Sequence, residues 1–460
     1  MGNNGKPTNI FSLRISNQVT IQNASESLKA EIKNRLTISN PLWEENERMG
    51  RWNGETPRLL SFYQETSSGL ILPRGFLPQL ISMVKRFGER FQIEDRRRVL
   101  PEVDFQFRGQ LRPFQDEAVK ATLSRDMGTM ASPTGSGKTV MALSLVSHRK
   151  QPTLIITHTK ELLNQWITRI EQFLGIPSNE VGKIGDGERT IGKKITVALV
   201  QTLFKCSSQV SPHIGYLIVD ECHRTPSRTF TKAVSAFDCK FITGLSATPW
   251  RRDRLSKLIF WYVGNVVHEV SKEDLIETGD VLPAEVIWRE TNFQPYSDPA
   301  TEYSTMLSEL TEDPERNRLI VQDVVNEAGN GGGICLVLSD RKSHCERIRS
   351  LLSKNGTQSH VLTGDLSNGD RKETVQALNS GQVKVLIATG QLVGEGFDCK
   401  ELSTLFLTTP IKFDGRLIQY LGRVLRPAPG KEKARIYDYV DKFVGVLKAA
   451  AAARQRVYGC

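Results

Sequence analysis

The octapeptide Ser132-Pro133-Thr134-Gly135-Ser136-Gly137-Lys138-Thr139 confines this chain more than any other stretch. It stands between an apolar approach, Gly128–Ala131, and an apolar run from Val140 to Val146. A glycine-bearing loop between a strand and a helix closes around an anion, because its backbone N–H groups point inward and the helix presents its positive end. Such a loop predicts that Lys138 reaches the outer phosphates of a nucleotide and that the Thr139 hydroxyl holds a divalent cation. Ser132 replaces the first glycine of the strict pattern, so the rest of the chain has to decide.

The chain has 460 residues, too many for one ordinary core; at roughly 150 residues per domain, about two to four domains are expected. With 39% hydrophobic and 24% charged residues the composition is that of a globular protein. A formal net charge of +10 favours a polyanionic partner such as nucleic acid. The seven cysteines form no C-x-x-C pair, which argues against a zinc knuckle or a disulfide framework and for reduced thiols in a cytoplasmic setting. No apolar segment approaches the ~20 residues of a membrane span, and no membrane partner is expected.

Residues 1–100 read as a small α/β accessory domain. Phe11–Ile15, Val19–Ile21 and Leu70–Leu72 alternate as short strands, and Ser25–Leu36 and Leu77–Phe87 have helical periodicity, with Lys85, Arg86 and Arg90 near the second helix end. Glu94–Val103, with its Arg96-Arg97-Arg98 run, reads as a linker that either touches phosphate or is a solvated charge run. From Leu111 short apolar strands alternate with helices, as in a parallel, helix-covered sheet. The strand candidates are Gly128–Ala131, Thr153–Thr157, Ile195–Leu199, Tyr216–Val219 and Phe241–Leu245, each followed by polar or glycine-bearing residues, where open α/β sheets bind ligands. The alternation pauses over 256–325, read as a connection. It restarts with Ile334–Leu338, Ser359–Leu362, Val383–Ala388, Thr404–Leu407 and Ala434–Tyr439. The predicted fold class is α/β, with parallel-sheet lobes over 101–255 and 326–447. An alanine-rich tail, 448–460, is helical at its start.

Tyr216–Val219 is an apolar strand that ends in Asp220, Glu221, Cys222 and His223. Paired carboxylates there suit nucleotide hydrolysis: Asp220 holds the cation, and Glu221 orients and deprotonates the attacking water. Cys222 and His223 lack partners at zinc spacing.

The phosphate loop, Asp220-Glu221-Cys222-His223, Ser246-Ala247-Thr248-Pro249 and Gln419-Tyr420-Leu421-Gly422-Arg423-Val424-Leu425-Arg426 stand in the order of the superfamily 2 helicase motifs. Over about residues 108–440 the chain resembles that superfamily. The resemblance implies two RecA-like lobes, ATP and Mg²⁺ as cofactors, and DNA as partner. It places ATP against Arg112 and Gln115, whose amide can read adenine, and against Pro133, Thr134, Gly135, Ser136, Gly137, Lys138 and Thr139. Asp220, Glu395, Gly396 and Asp398 complete that set. Ser246, Ala247 and Thr248 would couple the nucleotide to lobe motion. Glu221 would be joined in catalysis by Gln419, Arg423 and Arg426, which a helical spacing of four and three puts on one face. Arginine fingers of this kind contribute ~10³ to 10⁵ in rate. Thr159, Lys160, Gln201, Thr202, Arg251, Arg252, Gly364 and Thr389 would meet the backbone of a single strand in the groove between lobes. Trp166, close to the first of these, reads as a core anchor rather than a base-stacking platform.

Leu111-Arg112-Pro113-Phe114-Gln115, the form of the last motif and Asp313-Pro314-Glu315-Arg316-Asn317 resemble the XPB and UvsW branch, whose members act on duplex or branched DNA, commonly with 3′-to-5′ polarity. Trp250-Arg251-Arg252-Asp253 departs from the Arg-Glu-Asp element of XPB proteins. The expected function is that of a monomeric ATP-dependent DNA helicase or translocase acting on forked and branched DNA in replication, recombination or repair. An RNA helicase and a non-unwinding duplex-DNA motor subunit of a restriction or transcription assembly are the alternatives. Phe413, in the loop 410–415, is a candidate strand-separating wedge, although that loop also reads as an ordinary connection.

Overall fold

The computed structural model describes residues 10–224, 228–247, 255–330, 333–364, 373–374, 376–378, 380, 383–390, 399, 401–411 and 414–458. Thr248, Arg251, Arg252, Glu395, Gly396, Asp398 and Phe413 lie outside them, as does the side chain of Gln419. Contacts divide the chain into two compact units, Met1–Ser132 with Gly137–Val270, and Ser271–Cys460 with Pro133–Ser136. No helix among the described residues is long and apolar enough to cross a membrane.

The first unit begins with a five-stranded sheet. Ile10–Ile15 and Gln18–Gln22 pair antiparallel, and their alternation buries Phe11, Leu13, Ile15, Val19 and Ile21. The helix Glu26–Arg35 starts where the Ser25 hydroxyl accepts from Leu28 N–H, and Leu77–Phe87 stops at Gly88, whose φ of 69° suits glycine. The stretch read as a linker, Glu94–Val103, begins inside a strand and otherwise holds no helix or strand. Arg90–Asp95 pairs in parallel with Ile10–Ile15. Arg97 bonds Asp95 and Asp126, and Arg98 bonds Asp238. Both arginines fasten the small sheet to the larger sheet beside it rather than extending into solvent. Leu258 and Trp261, from the helix Ser256–Val263, share one apolar cluster with Phe11, Leu28 and Phe76. Buried Arg74 donates to the carbonyls of Ser16 (3.2 Å) and Cys239 (2.6 Å). The accessory sheet and its larger neighbour therefore fold as one body.

That second sheet has, among the described residues, eight strands. Its centre runs Ile195–Leu199, Thr153–Thr157, Tyr216–Val219, Phe241–Ser246, Met127–Ala131, all parallel. Strands buried on both faces read as unbroken apolar runs, which is why they are visible in the sequence. Their carboxyl ends share one edge of the sheet, which brings the loops after Ala131, Thr157, Leu199, Val219 and Ser246 together.

The second unit is built on a six-stranded parallel sheet in the order Ala284–Thr291, Ala434–Asp441, Leu402–Leu407, Ile334–Ser339, Val385–Thr389, His360–Leu362. The stretch 256–325 is divided between the sheets: Val266–Glu269 is an edge strand of the first unit, and Ala284–Thr291 an edge strand of the second. Asp313-Pro314-Glu315-Arg316-Asn317 starts the helix Pro314–Asn330, where the Asp313 carboxylate accepts from Arg316 N–H at 2.7 Å. The Arg316 side chain is buried, donating to Asp441 (2.8 Å) and to the Thr408 carbonyl (2.7 Å). Asn317 meets His344, which meets Ser339. This motif cements the second sheet. The alanine-rich helix, Gly445–Tyr458, contributes Arg454 and Tyr458 to a buried network on Asp438.

Candidate nucleotide and nucleic-acid site of the first unit

The phosphate loop leaves the strand Met127–Ala131 and enters the helix Lys138–Arg149. Gly135 and Gly137 have φ of 95° and 86°, a region in which a side chain is strained. A Cβ on Gly137 would also stand 2.5 Å from Gln115 Nε2. The Ser136 hydroxyl donates to the Pro133 carbonyl at 2.7 Å, and Lys138 Nζ donates to the Ser132 carbonyl at 3.0 Å, so the ammonium is held over its own loop. Ser132 N–H donates to the Ser246 carbonyl at 2.9 Å, which joins the loop to the end of the adjacent strand.

Asp220 and Glu221 follow the strand Tyr216–Val219. Asp220 is held at both oxygens: Oδ1 accepts from Glu221 N–H at 3.0 Å, and Oδ2 accepts from the Trp166 indole N–H at 2.8 Å. Burial, and then the neighbouring Glu221 carboxylate, push the Asp220 pKa up, while Trp166 and Lys138 oppose the shift. Glu221 has φ of 48°, a left-handed conformation that costs a non-glycine residue about 1–2 kcal/mol. His223 Nδ1 lies 3.1 Å from Ser246 Oγ and 3.1 Å from Glu221 Oε2, which ties the two strand ends together through side chains. Cys222 is buried, and burial pushes its thiol pKa up, so it is not a reactive nucleophile.

Gln115 is buried, and its side-chain oxygen accepts from Arg112 N–H at 3.0 Å, which satisfies a backbone donor at the start of the helix Pro113–Leu123. With Nε2 against Gly137, the amide supports the phosphate loop from below. Thr139 sits half-buried in the first helical turn. The oxygen donors Thr139 and Asp220, with a second carboxylate beside them, suit a hard divalent cation that takes its remaining ligands from phosphate and water. Thr134 Oγ1 is buried and has no hydrogen-bond partner among the described residues, which suits a loop that accepts an anion.

At the same sheet edge, Thr159 caps the helix Lys160–Leu174, its hydroxyl accepting from Leu162 N–H at 3.3 Å. Lys160 pairs with Asp186 at 2.6 Å. Gln201 is exposed, and its amide donates to the His158 carbonyl at 3.4 Å, while Thr202 is half-buried beside it. The structure thus brings Thr159, Lys160, Gln201 and Thr202 to one edge of the sheet, with the carboxylates at the end of the next strand and the phosphate loop two strands beyond them.

In the second unit Gly364 is exposed after the strand His360–Leu362, and Thr389 ends the strand Val385–Thr389. The helix Asp414–Val424 carries Arg423, but Arg426 lies beyond its end. Pro427 explains this departure from the expected single face, because the residue before a proline is pushed out of the helical region. Lys431, which carries no signal in the sequence, ties off that end: its ammonium donates to the carbonyls of Leu402 (2.6 Å), Arg426 (2.8 Å) and Val424, and burial pushes its pKa down to about 8. Trp166 is buried, as a core anchor should be, yet its N–H reaches a site carboxylate, because a buried indole must find an acceptor.

Residues 108–251 match the family described as type III restriction enzyme, res subunit, and residues 317–428 match the helicase conserved C-terminal domain. A putative ATP-dependent RNA helicase of Acanthamoeba polyphaga mimivirus is 26% identical over 374 residues, which cover 78% of this chain and 69% of that protein. The DNA 3'-5' translocase XPB2 of Sulfurisphaera tokodaii is 37% identical over 166 residues, 36% of this chain and 37% of that protein. The crystal structure of T4 UvsW aligns over 98% of this chain and 97% of its own, with 19% identity and a TM-score of 0.45.

Proposed function

We propose that this chain, which belongs to helicase superfamily 2 and has XPB relatives, uses ATP to move along and separate strands of forked or branched DNA, with 3′-to-5′ polarity. The observation that carries the reading is the shared carboxyl edge of the eight-stranded sheet. There a phosphate loop, two adjacent carboxylates and the polar residues Thr159, Lys160, Gln201 and Thr202 stand at the ends of neighbouring strands. Hydrolysis and strand contact would thereby share one rigid sheet. The S. tokodaii relative is named a DNA 3'-5' translocase, which favours DNA and that polarity here. Contacts confined to the sugar–phosphate backbone make the activity indifferent to sequence.

In this reading the loop N–H groups and Lys138 would bind the β- and γ-phosphates, and Thr139 and Asp220 would hold Mg²⁺. The ion, when bound, would supply positive charge beside the phosphate oxygens. Glu221, set by its strained backbone, orients the attacking water and takes its proton. His223 and Ser246 hold Glu221 against the next strand end. Arg423 and Arg426 are proposed as the cations that stabilise the transition state, and Gly364 and Thr389 as further strand contacts.

The test is ATP hydrolysis by the purified full chain, with matched single-stranded DNA and RNA, followed by unwinding of forks, four-way junctions and tailed duplexes of each polarity. DNA is expected to stimulate hydrolysis, and Glu221→Gln to lower the stimulated rate by about 10²- to 10⁴-fold while strand binding persists. Near-native turnover by Glu221→Gln would overturn the site. The mimivirus relative is named an RNA helicase; stimulation by RNA alone would replace the DNA reading with that one.

A further inference from the structure

The mechanism leaves one buried polar contact unused. The Trp166 indole N–H donates to Asp220 Oδ2 at 2.8 Å, with both residues buried. Trp166 is the seventh residue of the helix Lys160–Leu174, which contains neither glycine nor proline and buries Leu163, Ile170 and Leu174 along the same face. A helix of this kind moves as a rod. Its first turn is the one that Thr159 caps and Lys160 opens, and the preceding carbonyl, that of His158, accepts from the Gln201 amide. Six residues, or about 9 Å of helix rise, separate Lys160 from Trp166. One helix thus carries a strand-contact segment at its start and, less than two turns further on, the only side-chain hydrogen bond that the structure gives Asp220 Oδ2 among the described residues.

We propose that Trp166 is a positioning residue that fixes the Asp220 carboxylate and transmits strand engagement at Thr159–Lys160 to the cation-holding side of the nucleotide site. This rests on the proposed function, since it takes Asp220 as the cation ligand and the first helical turn as a strand contact. The physical basis is twofold. A carboxylate anchored at one oxygen by a backbone N–H can still swing about its side-chain torsions, whereas a donor on the other oxygen locks the plane; partners of this type govern ligand orientation. A phosphate drawn onto the helix start shifts the rod, and a shift of the rod moves the indole nitrogen. By linkage, whatever strand binding does to the cation site, the loaded cation site does to strand affinity in equal measure.

Two variants separate the hydrogen bond from packing. Trp166→Phe keeps an aromatic ring and removes the donor. Replacing Trp166 with β-(3-benzothienyl)alanine puts sulfur in place of the indole N–H at nearly unchanged volume, which keeps the test valid if the smaller ring unfolds the chain. The primary readout is binding rather than turnover: a Mg²⁺ titration of the affinity for a fluorescent methylanthraniloyl-ADP, with and without a saturating single-stranded oligonucleotide.

For the native chain the oligonucleotide is expected to lower the half-saturating Mg²⁺ concentration severalfold. In both variants that concentration is expected to rise about tenfold or more, and the effect of the oligonucleotide to vanish. Oligonucleotide affinity without nucleotide should stay within about twofold, because backbone contacts at the helix start are retained. A half-saturating Mg²⁺ concentration within about twofold of native in both variants would overturn the proposal. So would an undiminished oligonucleotide effect, or a loss confined to Trp166→Phe, which would mark packing as the cause. Absence of any strand-stimulated hydrolysis by the native chain would instead sink the proposed function, so the two failures are distinguishable.

Discussion

The two units bury charge in opposite ways. In the second unit the buried acids meet cations: Asp441 accepts from Arg316 at 2.8 Å and from the Thr291 hydroxyl at 2.6 Å, and Asp438 accepts from Arg454 Nε and Nη2 and from Tyr458. In the first unit Asp220 is buried next to another carboxylate, Glu221, and is held by N–H groups of neutral donors. Glu221 itself adopts a left-handed backbone. The difference teaches what each region is for. Paired charge in a low-dielectric interior holds strands in register, and removing one partner strands the other. Like charge placed side by side raises the energy of the folded state, and a fold retains it where a bound cation offsets it.

The comparison breaks most readily at Arg316. Arg316→Met should cost the second unit about 3–5 kcal/mol, because the Asp441 carboxylate stays buried without its guanidinium. Calorimetric unfolding of the full chain would show this as a lowered transition, with ATP affinity of the first unit retained below it. If the melting behaviour were unchanged, the second unit's ion pairs would not be its cement.

A smaller effect concerns His344, whose Nε2 faces Asn317 Oδ1 at 2.8 Å and whose Nδ1 faces Ser339 Oγ at 3.0 Å. Burial first, and then Arg316 and Arg347, push its pKa down to about 3 from 6.5. The folded form therefore binds fewer protons than the unfolded chain between these values. The stability that neutral His344 contributes is complete above about pH 6.5 and is lost as pH falls toward 3, by a few kcal/mol in order of magnitude. Denaturant unfolding at pH 7 and pH 5 should show that loss, and His344→Gln should flatten it. An equal acid loss in the variant would assign the effect to other groups.

The same physics explains which parts of the molecule were legible in the sequence. The central strands, such as Thr153–Thr157 and Tyr216–Val219, are buried on both faces and stand out as apolar runs. The edge strands Arg90–Asp95 and Ala284–Thr291 are half-solvated and charged, so the first passes unseen between a helix end and a linker that begins at Glu94, and the second reads as connection. The phosphate loop and the Asp220–Glu221 pair are legible because local spacing defines them. The Trp166 bond to Asp220 spans 54 residues, and nothing local announces an indole's acceptor. Arg426 is helical by spacing alone, and the proline behind it is the signal that decides otherwise. Arg316 and Asn317 are readable as a motif, but only the fold shows that they serve packing.

The central claim is that the first unit buries Asp220 for chemistry at a cost in stability. Its folded-state pKa is raised, so ionisation near neutral pH is a cost that the unfolded chain does not bear. Asp220→Asn removes the charge and keeps an oxygen for the Trp166 N–H, at the loss of the acceptor for the Glu221 N–H, which offsets about 1 kcal/mol of the gain. Thermal unfolding of that variant at neutral pH, in the absence of nucleotide, is the most direct measurement. The account predicts a first unit stabilised by about 1–2 kcal/mol in a chain that no longer hydrolyses ATP. A destabilisation comparable to that of Arg316→Met would contradict it, because Asp220 would then be cement of the same kind as Asp441.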